Sequence, residues 1–313
     1  RKTSRDALVR QLEDNGYRFS ELVLQSEGDY AADDADWNYK DIPHLHHVHD
    51  LAESLPAVIG DDIICSVNLQ KVFGFWFPIA LVNYEVEKYR QLYFTTMLFF
   101  ALVIETRSEP LGPIRTRVTT RYAIGSPPWL QFLAPVLKWT IRRNYKVLMS
   151  ADLPMRDRRG ELRKLGYGFR RKGESYSFAD TLNIMVSNLV APPGAERIVS
   201  CNLKTVFGVG DTAFIGDRGL LGFRLERAGD EVAIFPRACP HEGASLDERP
   251  CVNGEVTCEW HGRRIAALGR VRLKGTAEFR QGAYHGWVSD GELTITYLNE
   301  PLPEVGQTAA HAH

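Results

Sequence analysis

Two short segments in the C-terminal half of the chain each combine a cysteine with a histidine. Cys239 precedes His241 by two positions, and Cys258 precedes His261 by three. Thiolates are soft ligands that hold iron–sulfur clusters, and neutral imidazoles can replace two of the four thiolates on one iron. The two segments could therefore grip a [2Fe–2S] cluster from both sides, although two cysteines and two histidines would also suit a structural zinc ion.

The residues around these pairs favour iron over zinc. Gly243 and Gly262 follow the two pairs and allow the backbone to turn tightly, and Trp260 precedes the last histidine. This pattern resembles the C-x-H…C-x-x-H motif of Rieske proteins over roughly residues 200–298, whereas a Cys-x-His pair is unusual in zinc fingers. The resemblance implies that a [2Fe–2S] cluster is bound by four residues: Cys239, His241, Cys258 and His261.

The same loops indicate which type of Rieske protein the chain resembles. Rieske proteins of respiratory complexes carry an additional cysteine in each loop, where this chain has Ala244 and Glu259. The resemblance is therefore to the oxygenase or ferredoxin type. We expect the remaining cysteines to be buried or inert thiols; they are Cys65, Cys201 and Cys251.

A second group of potential ligands lies in the N-terminal half, where four histidines fall within residues 44–49. Two imidazoles and one carboxylate on one face of a metal leave positions open for O₂ and substrate, as in non-haem Fe(II) oxygenases. Asp41, His44 and His49 follow the D-x-x-H-x-x-x-x-H spacing that Rieske oxygenases carry in their catalytic domain, directly after an asparagine and aromatic residues at 37–39.

The spacing of the two histidines is unusual for a helix. Positions i and i+5 lie roughly 140° apart on a regular helix, so we expect a distorted turn, helped by Pro43. His46 and His47 are not predicted to be ligands. A solvated polar loop is the alternative interpretation of this segment.

The resemblance implies a third ligand, an aspartate on the long C-terminal helix of the catalytic domain. On this basis His44, His49 and Asp152 would bind a mononuclear Fe(II). Asp180 is the alternative to Asp152, which could instead cap a helix that begins near Pro154.

In Rieske oxygenases the first aspartate of the motif is not a ligand, and it connects the two metal centres. Carried over, Asp41 would be the electron bridge between His261 and His44, since a carboxylate that hydrogen-bonds both imidazoles orients them. Family members usually pass this electron between neighbouring subunits of a trimer, and we therefore expect a homo-oligomer. The Rieske part follows the catalytic part here, which inverts the usual order.

The periodicity of the remaining sequence predicts the elements that position these residues. We expect a helix at 4–15, an acidic loop at 27–41, a short helical stretch that follows the histidine cluster at 44–49 and reaches about residue 55, and strands over 63–124, with 92–106 as one strand and 114–124 as another. A long amphipathic helix is predicted from 129 towards 165. Beyond residue 194 the pattern indicates short strands only, with a hairpin at Asp290-Gly291.

These elements predict an α+β protein with two domains. The resemblance implies that residues 1–190 form a helix-grip (START-like) catalytic domain, with an antiparallel sheet and a long helix, that binds the mononuclear iron, and the predicted strands followed by a long helix match this order. Residues 191–199 would be a linker, residues 200–300 an all-β Rieske domain, and residues 301–313 a flexible tail.

Composition narrows the possible partners. The chain of 313 residues has 38 basic and 39 acidic residues, so no global charge indicates binding to nucleic acid. The longest apolar run, residues 97–104, is about half the length needed to span a membrane. No signal-peptide pattern opens the given sequence, and we expect a cytoplasmic protein. The basic stretch 137–172 could dock an acidic redox partner or be a solvated helix face.

Together these features predict an O₂-dependent oxidoreductase, a mono- or dioxygenase that takes electrons from an external ferredoxin or NAD(P)H-dependent reductase. A run of aromatic residues between 73 and 100 suggests an apolar substrate such as a terpenoid, a polyketide or a polycyclic compound. The alternative is a Rieske electron-transfer protein fused to a non-catalytic START-like domain that binds a lipid or another apolar ligand.

Overall fold

The structure is a computed structural model that describes residues 3–49, 52–72, 75–194 and 197–298. The chain divides into two compact units. The first comprises residues 1–190 together with two short loops, 241–244 and 259–263, and the second comprises residues 191–240, 245–258 and 264–313. The predicted tail at 301–313 lies outside the described residues.

The first unit is built on one antiparallel sheet of seven strands in the order β1-β7-β6-β5-β4-β3-β2. Strands β2 to β7 form an uninterrupted meander, and β1 pairs with β7 along its whole length. The strands are β1 (Arg18–Gly28), β2 (Ala52–Ile59), β3 (Ile63–Val72), β4 (Phe75–Glu87), β5 (Arg90–Met97), β6 (Phe100–Gly112) and β7 (Arg115–Ser126). A short pair, β8 (Gly168–Phe169) and β9 (Leu189–Val190), lies apart from this sheet.

Among the described residues, five α-helices and one 3₁₀ helix (Pro128–Leu133) accompany the sheet; the α-helices are α1 (Arg5–Asp14), α2 (Ala32–Lys40), α3 (Pro43–Val48), α4 (Ala134–Lys164) and α5 (Phe178–Thr181). Tyr145 and Met149 of α4 pack against Leu22 of β1 and Tyr122 and Ile124 of β7. A long helix on one face of an antiparallel sheet is the helix-grip arrangement that the sequence predicts. None of the described helices is long and apolar enough to cross a membrane.

Strand β7 shows how the alternation of side chains in the sequence identifies the buried face of a strand. Its even-numbered residues from Thr116 to Tyr122 are buried, whereas Arg115 and Arg121 are exposed. Because successive side chains of a strand point to opposite faces, the alternation of arginine with apolar residues places one face on the core. Arg115 and Arg121 therefore lie on the solvent-facing side of the strand.

Three local predictions were wrong. Most of the predicted acidic loop at 27–41 forms helix α2, because its charged residues are buried beside oppositely charged partners rather than solvated. The predicted helical stretch after the histidine cluster was wrong, because the helix, α3, lies at the cluster itself and residues 52–55 belong to β2. Residues 92–106 are two strands, β5 and β6, separated by a turn in which Leu98 has a positive φ of 53°.

The second unit is entirely β. It contains two four-stranded antiparallel sheets, ordered β10-β20-β19-β18 and β11-β12-β13-β17, and a three-stranded sheet, β14-β15-β16. The strands are β10 (Ile198–Asn202), β11 (Thr212–Ile215), β12 (Phe223–Ala228), β13 (Glu231–Pro236), β14 (Cys251–Val252), β15 (Glu255–Thr257), β16 (Arg264–Ala266), β17 (Gly269–Arg272), β18 (Ala277–Gln281), β19 (Tyr284–Ser289) and β20 (Glu292–Tyr297).

The predicted hairpin of the second unit is confirmed. Asp290 and Gly291 connect β19 to β20 and have positive φ angles of 54° and 87°. Two consecutive left-handed residues are typical of a type I′ turn, whose twist matches that of the paired strands. Beneath the strands lies one apolar core that includes Phe223, Leu225 and Ile295.

One glycine of α4 sets how closely the helix approaches the chain between β1 and α2. A Cβ atom on Gly160 would lie 1.9 Å from the backbone oxygen of Asp29 and 3.1 Å from the Cα of Tyr30. We predict that Gly160→Ala lowers the free energy of unfolding by about 1–3 kcal/mol, although alanine favours a helix by about 1 kcal/mol over glycine. Gly168→Ala, where a Cβ would meet nothing within 4 Å, is the control in urea unfolding. Equal stability of the two variants would contradict this packing.

Candidate metal centres

Three of the predicted mononuclear iron ligands lie together in the first unit. The side chains of His44, His49 and Asp152 are buried, and their potential ligand atoms all lie within 4.8 Å of one another. Asp152 Oδ1 is 2.9 Å from Nε2 of His49 and 3.3 Å from Nε2 of His44. The described residues contain no other group of three or more histidine, cysteine or carboxylate side chains with this spacing.

The local backbone explains how histidines five positions apart reach the same point. Helix α3 begins with Pro43, whose fixed φ suits a first helical turn, and His44 follows it. The helix ends at Val48, and His49 has an extended backbone with φ −110° and ψ 112°. The distortion that this spacing requires is therefore the end of the helix, beyond which His49 leaves the helical path.

The hydrogen bonds of His44 leave one ring nitrogen available for a metal. Its Nδ1 donates to the backbone carbonyl of Asp41, so that Nε2 carries the lone pair. This Nε2 makes no hydrogen bond of normal geometry. Two ligands that bind one metal at about 2.1 Å lie about 3.0–3.4 Å apart in octahedral or tetrahedral geometry, which agrees with the distances to Asp152. The three side chains fit a divalent metal.

The charges of this group are coupled. Burial opposes ionisation of Asp152, but hydrogen bonds with His44 and His49 and the nearby guanidinium of Arg156 hold its pKa below the usual value. Burial also disfavours a charged His44, yet Asp152 and Asp41 raise its pKa. A bound metal cation would also neutralise the negative charge of Asp152.

The structure distinguishes between the interpretations of Asp152 and Asp180 that the sequence left open. Asp152 lies in the middle of α4, which continues through Pro154 to Lys164, so the predicted role of Asp152 as a helix cap was wrong. Asp180 lies in α5, where it forms an ion pair of 2.7 Å with Lys172, and it is not part of the group. His46 and His47 are exposed and also lie outside the group.

A second pair of buried imidazoles comes from the two loops that belong to the first unit. Nδ1 of His241 and Nδ1 of His261 are 3.2 Å apart, and both side chains are buried. This distance again equals that of two nitrogens on one metal. Burial, followed by the neighbouring His261, lowers the pKa of His241 to about 3, so this imidazole is neutral, as a metal ligand must be. In the second unit Cys239 and Cys258 are buried as well.

Asp41 connects the two groups of imidazoles within the first unit. It accepts a hydrogen bond of 2.7 Å from Nε2 of His261 through Oδ2, and the same oxygen lies 3.6 Å from Nδ1 of His44. Asp41 is the C-cap residue that follows α2, just before the chain turns into α3, and it is buried. Burial opposes its charge, but His261 and His44 hold the pKa of Asp41 below its usual value.

A buried arginine that the sequence analysis missed supports the first of the two loops. Arg159 of α4 is fully buried, donates to Asp34 at 2.9 Å and to Tyr176 at 2.8 Å, and is ion-paired with Glu242, the residue after His241. Its guanidinium also stacks on the ring of Phe169 at 3.6 Å. Arg159 lies in the basic stretch 137–172, and its partners are too distant in sequence to be foreseen.

The glycines of the two loops are needed for close packing in the first unit. Gly243 has φ 84°, and a Cβ there would lie 2.4 Å from Leu162 of α4. Gly262 has φ 64°, and a Cβ there would lie 2.5 Å from the ring of His47. Both conformations are in the left-handed region that favours glycine, and the exposed ring of His47 therefore packs against a loop that carries a potential metal ligand.

Comparison with known proteins supports the assignment of the cysteine-containing loops. Residues 202–280 match the family model of the Rieske [2Fe–2S] domain, and a domain of this kind implies a [2Fe–2S] cluster. No curated protein sequence matches the chain.

The chain is also similar to several solved structures, over less than half of its length. The Zhui aromatase/cyclase from a Streptomyces species is 14% identical with a TM-score of 0.41, and the match covers 45% of this chain and 96% of that one. A START superfamily protein from Mycobacterium smegmatis is 11% identical with a TM-score of 0.38, covering 44% and 97%. A norcoclaurine synthase point mutant from Thalictrum is 11% identical with a TM-score of 0.37, covering 44% and 94%.

The geometry places Asp152, and not Asp180, beside His44 and His49. We predict that Asp152→Asn reduces the Fe(II) bound beyond the cluster by at least about tenfold in affinity, whereas Asp180→Asn leaves it unchanged. Anaerobic titration with Fe(II), followed by separate iron and sulfide assays, measures this binding. Loss of the added iron in Asp180→Asn, or its full retention in Asp152→Asn, would contradict the assignment.

Proposed function

We propose that the chain is the oxygenase component of a Rieske-type non-haem iron system, which uses O₂ and electrons from a ferredoxin or an NAD(P)H-dependent reductase to oxidise an organic substrate. The observation that carries this proposal is the position of Asp41. It lies between an imidazole of the Rieske loops and an imidazole of the His44–His49–Asp152 group. A protein that only carried electrons or bound a ligand would not need this second group.

The residues of the two groups are suited to different tasks. When bound, a [2Fe–2S] cluster supplies single electrons and a mononuclear Fe(II) supplies O₂ activation. The Nδ1 atoms of His241 and His261 face each other at 3.2 Å, and with Cys239 and Cys258 these residues would hold the cluster. His44, His49 and Asp152 would hold the single iron from one side, which leaves its other positions open to O₂ and substrate.

Asp41 would keep both imidazoles in the tautomers that metal binding requires. Its Oδ2 accepts a hydrogen bond from the protonated Nε2 of His261, which leaves Nδ1 of the neutral ring unprotonated. Its backbone carbonyl accepts from Nδ1 of His44, which leaves Nε2 unprotonated. Carboxylate and carbonyl partners of this kind fix the ring orientation of metal-binding histidines and raise their basicity. The same residue thus contacts both centres and offers a short path for an electron.

The hydrogen bond between Asp41 and His261 joins residues of one chain. In the inverted domain order the electron would therefore pass within a single chain, and the proposal does not need the neighbouring subunit that the family resemblance implies. We therefore expect a monomer to transfer electrons between its two centres, whatever the oligomeric state of the protein.

The structure limits where a redox partner could dock on α4. The predicted basic stretch 137–172 is not one surface, because Arg156 and Arg159 are fully buried. Arg142, Arg143 and Lys146 in the first half of the helix are exposed. An acidic ferredoxin would be attracted to these residues, since complementary charge speeds encounter.

The predicted aromatic lining of a substrate pocket was wrong for two of its members. The side chains of Trp76 and Phe99 are 57% and 56% exposed, so they do not line an interior pocket of this chain. Phe94 packs against the core beside Leu92. Phe73 lies outside the described residues.

Replacing the bridging carboxylate tests the proposal. We predict that Asp41→Asn keeps both metal centres and slows electron transfer from the reduced cluster to the oxidised mononuclear iron by about 10–100-fold. The measurement needs no substrate: protein with both centres oxidised is mixed anaerobically with dithionite, and freeze-quench EPR follows each centre. Asp180→Asn is the control. Loss of the mononuclear iron would make Asp41 a ligand, and an unchanged rate would remove its role as a bridge.

Mixing two defective chains distinguishes a path within the chain from a path between chains. His49→Ala removes a ligand of the mononuclear site, and Cys258→Ser removes a ligand of the cluster. We predict that co-expressed and co-purified mixtures of these variants show no electron transfer between the centres, and that the wild-type rate does not change on dilution. Recovered transfer in the mixture would mean that neighbouring subunits supply the two centres.

A further inference from the structure

Helix α4 carries a buried positive charge, Arg156, whose hydrogen-bonding capacity is largely unused. The Arg156 side chain is fully buried, and its Nε donates to Asn38 Oδ1 at 2.8 Å. Its two terminal nitrogens, Nη1 and Nη2, have no hydrogen-bond partner in the described part of the chain. A buried guanidinium normally has its donors satisfied, because leaving a buried charge unpaired is costly.

The nearest acid does not satisfy this guanidinium. Asp152 Oδ2 lies 3.9 Å from Nη2 of Arg156, which is beyond a hydrogen bond. The other oxygen of Asp152 faces His44 and His49, and a metal ion bound there would add positive charge. Once a metal ion is bound, the buried groups around Arg156 would therefore carry a net positive charge, which an anion could neutralise.

Hydroxyl groups from the sheet and from three helical or loop segments surround the same region without normal hydrogen bonds. Five of them are Ser26 on β1, Thr120 on β7, Tyr30, Tyr39 and Tyr145. The Tyr39 ring lies 4.5 Å from the guanidinium carbon of Arg156, and the Tyr30 ring lies 5.8 Å from it. Burial raises the pKa of Tyr145 and so does the nearby Tyr39, whereas Ser26, Arg156 and Thr120 lower it.

Of these residues, Ser26 and Thr120 belong to the face of the sheet that α4 covers. Ser26 is on the same side of β1 as Leu22 and Leu24, which pack against Tyr145 and other residues of the helix. Polar side chains at such positions weaken an apolar core unless something binds them. Their concentration beside Arg156 makes this interior unlike a purely apolar ligand pocket.

We infer that Arg156 binds a carboxylate, or a similar planar oxyanion, of the molecule that the metal centre oxidises, and that the tyrosine and serine hydroxyls contact its oxygens. The two terminal nitrogens of a guanidinium match the two oxygens of a carboxylate in a bidentate pair. Arg156 lies one helical turn after Asp152, about 5–6 Å along the same face. The anion would therefore be held beside the metal site.

This inference rests on the proposed function for the identity of the ligand as a substrate, but binding itself can be measured without turnover. Anthracenecarboxylate and anthracenecarboxamide are fluorescent, have the same ring system and differ in charge. We expect the wild-type chain to bind the carboxylate at least about tenfold more tightly than the amide, with or without added Fe(II). Fluorescence titration of the full chain gives both dissociation constants.

Variants identify the residue responsible. Arg156→Met should abolish the preference for the carboxylate and change the affinity for the amide by less than about twofold, and Arg156→Lys should retain part of the preference because it keeps the charge but loses the planar fork. Arg142→Met, at an exposed position of the same helix, should behave as wild type. Far-ultraviolet circular dichroism and the cluster spectrum show that each variant is folded.

Equal affinities for the two probes in the wild type, failure of the carboxylate to bind, or an undiminished preference in Arg156→Met would each overturn the inference. These outcomes are separable from failure of the proposed function. A chain that prefers the carboxylate but holds no mononuclear iron would keep the anion site and lose the oxygenase. A chain that holds the iron and transfers electrons but binds both probes equally would keep the oxygenase and lose the anion site.

Discussion

A single buried carboxylate between two imidazoles determines much of the first unit. The hydrogen bond from His261 to Asp41 is possible only if a loop from residue 259 onwards reaches the end of α2, some 220 positions earlier in the chain. A buried carboxylate is costly unless it is paired and hydrogen-bonded. The position of His261, the break between α2 and α3 and the orientation of His44 are therefore all constrained by the same residue.

Further buried charges keep this arrangement in place. Asp34, Asp36 and Lys40 of α2 are buried, and each is paired with an oppositely charged side chain. Arg159 connects α2 to Glu242, next to His241. Truncating one member of such a pair leaves its partner buried and unpaired, at a cost of about 3–5 kcal/mol. The first unit holds its potential metal ligands with polar contacts where an ordinary domain would use apolar packing.

The sequence predicted the parts of the structure that depend on local pattern. Alternation in β7, the period of α4 and the spacing from Asp41 to His49 were sufficient to expect the helix-grip arrangement and the first candidate site. The sequence predicts a loop where helix α2 lies, because its charged residues are expected to be solvated when their distant partners are unknown. The basic residues of α4 were read as one surface for the same reason, although Arg156 and Arg159 lie inside the protein. A local sequence pattern does not show that a charged residue is buried when its oppositely charged partner lies far away in the sequence.

The central claim is that one chain holds a Rieske cluster and a separate mononuclear iron. Iron, acid-labile sulfide and zinc should be counted per chain in wild-type protein purified without oxygen. Our account predicts about three irons, about two sulfides and no zinc. About two irons and two sulfides, unchanged after Fe(II) is added, would leave only the cluster and contradict the oxygenase. Zinc in place of iron, with no sulfide, would contradict both centres.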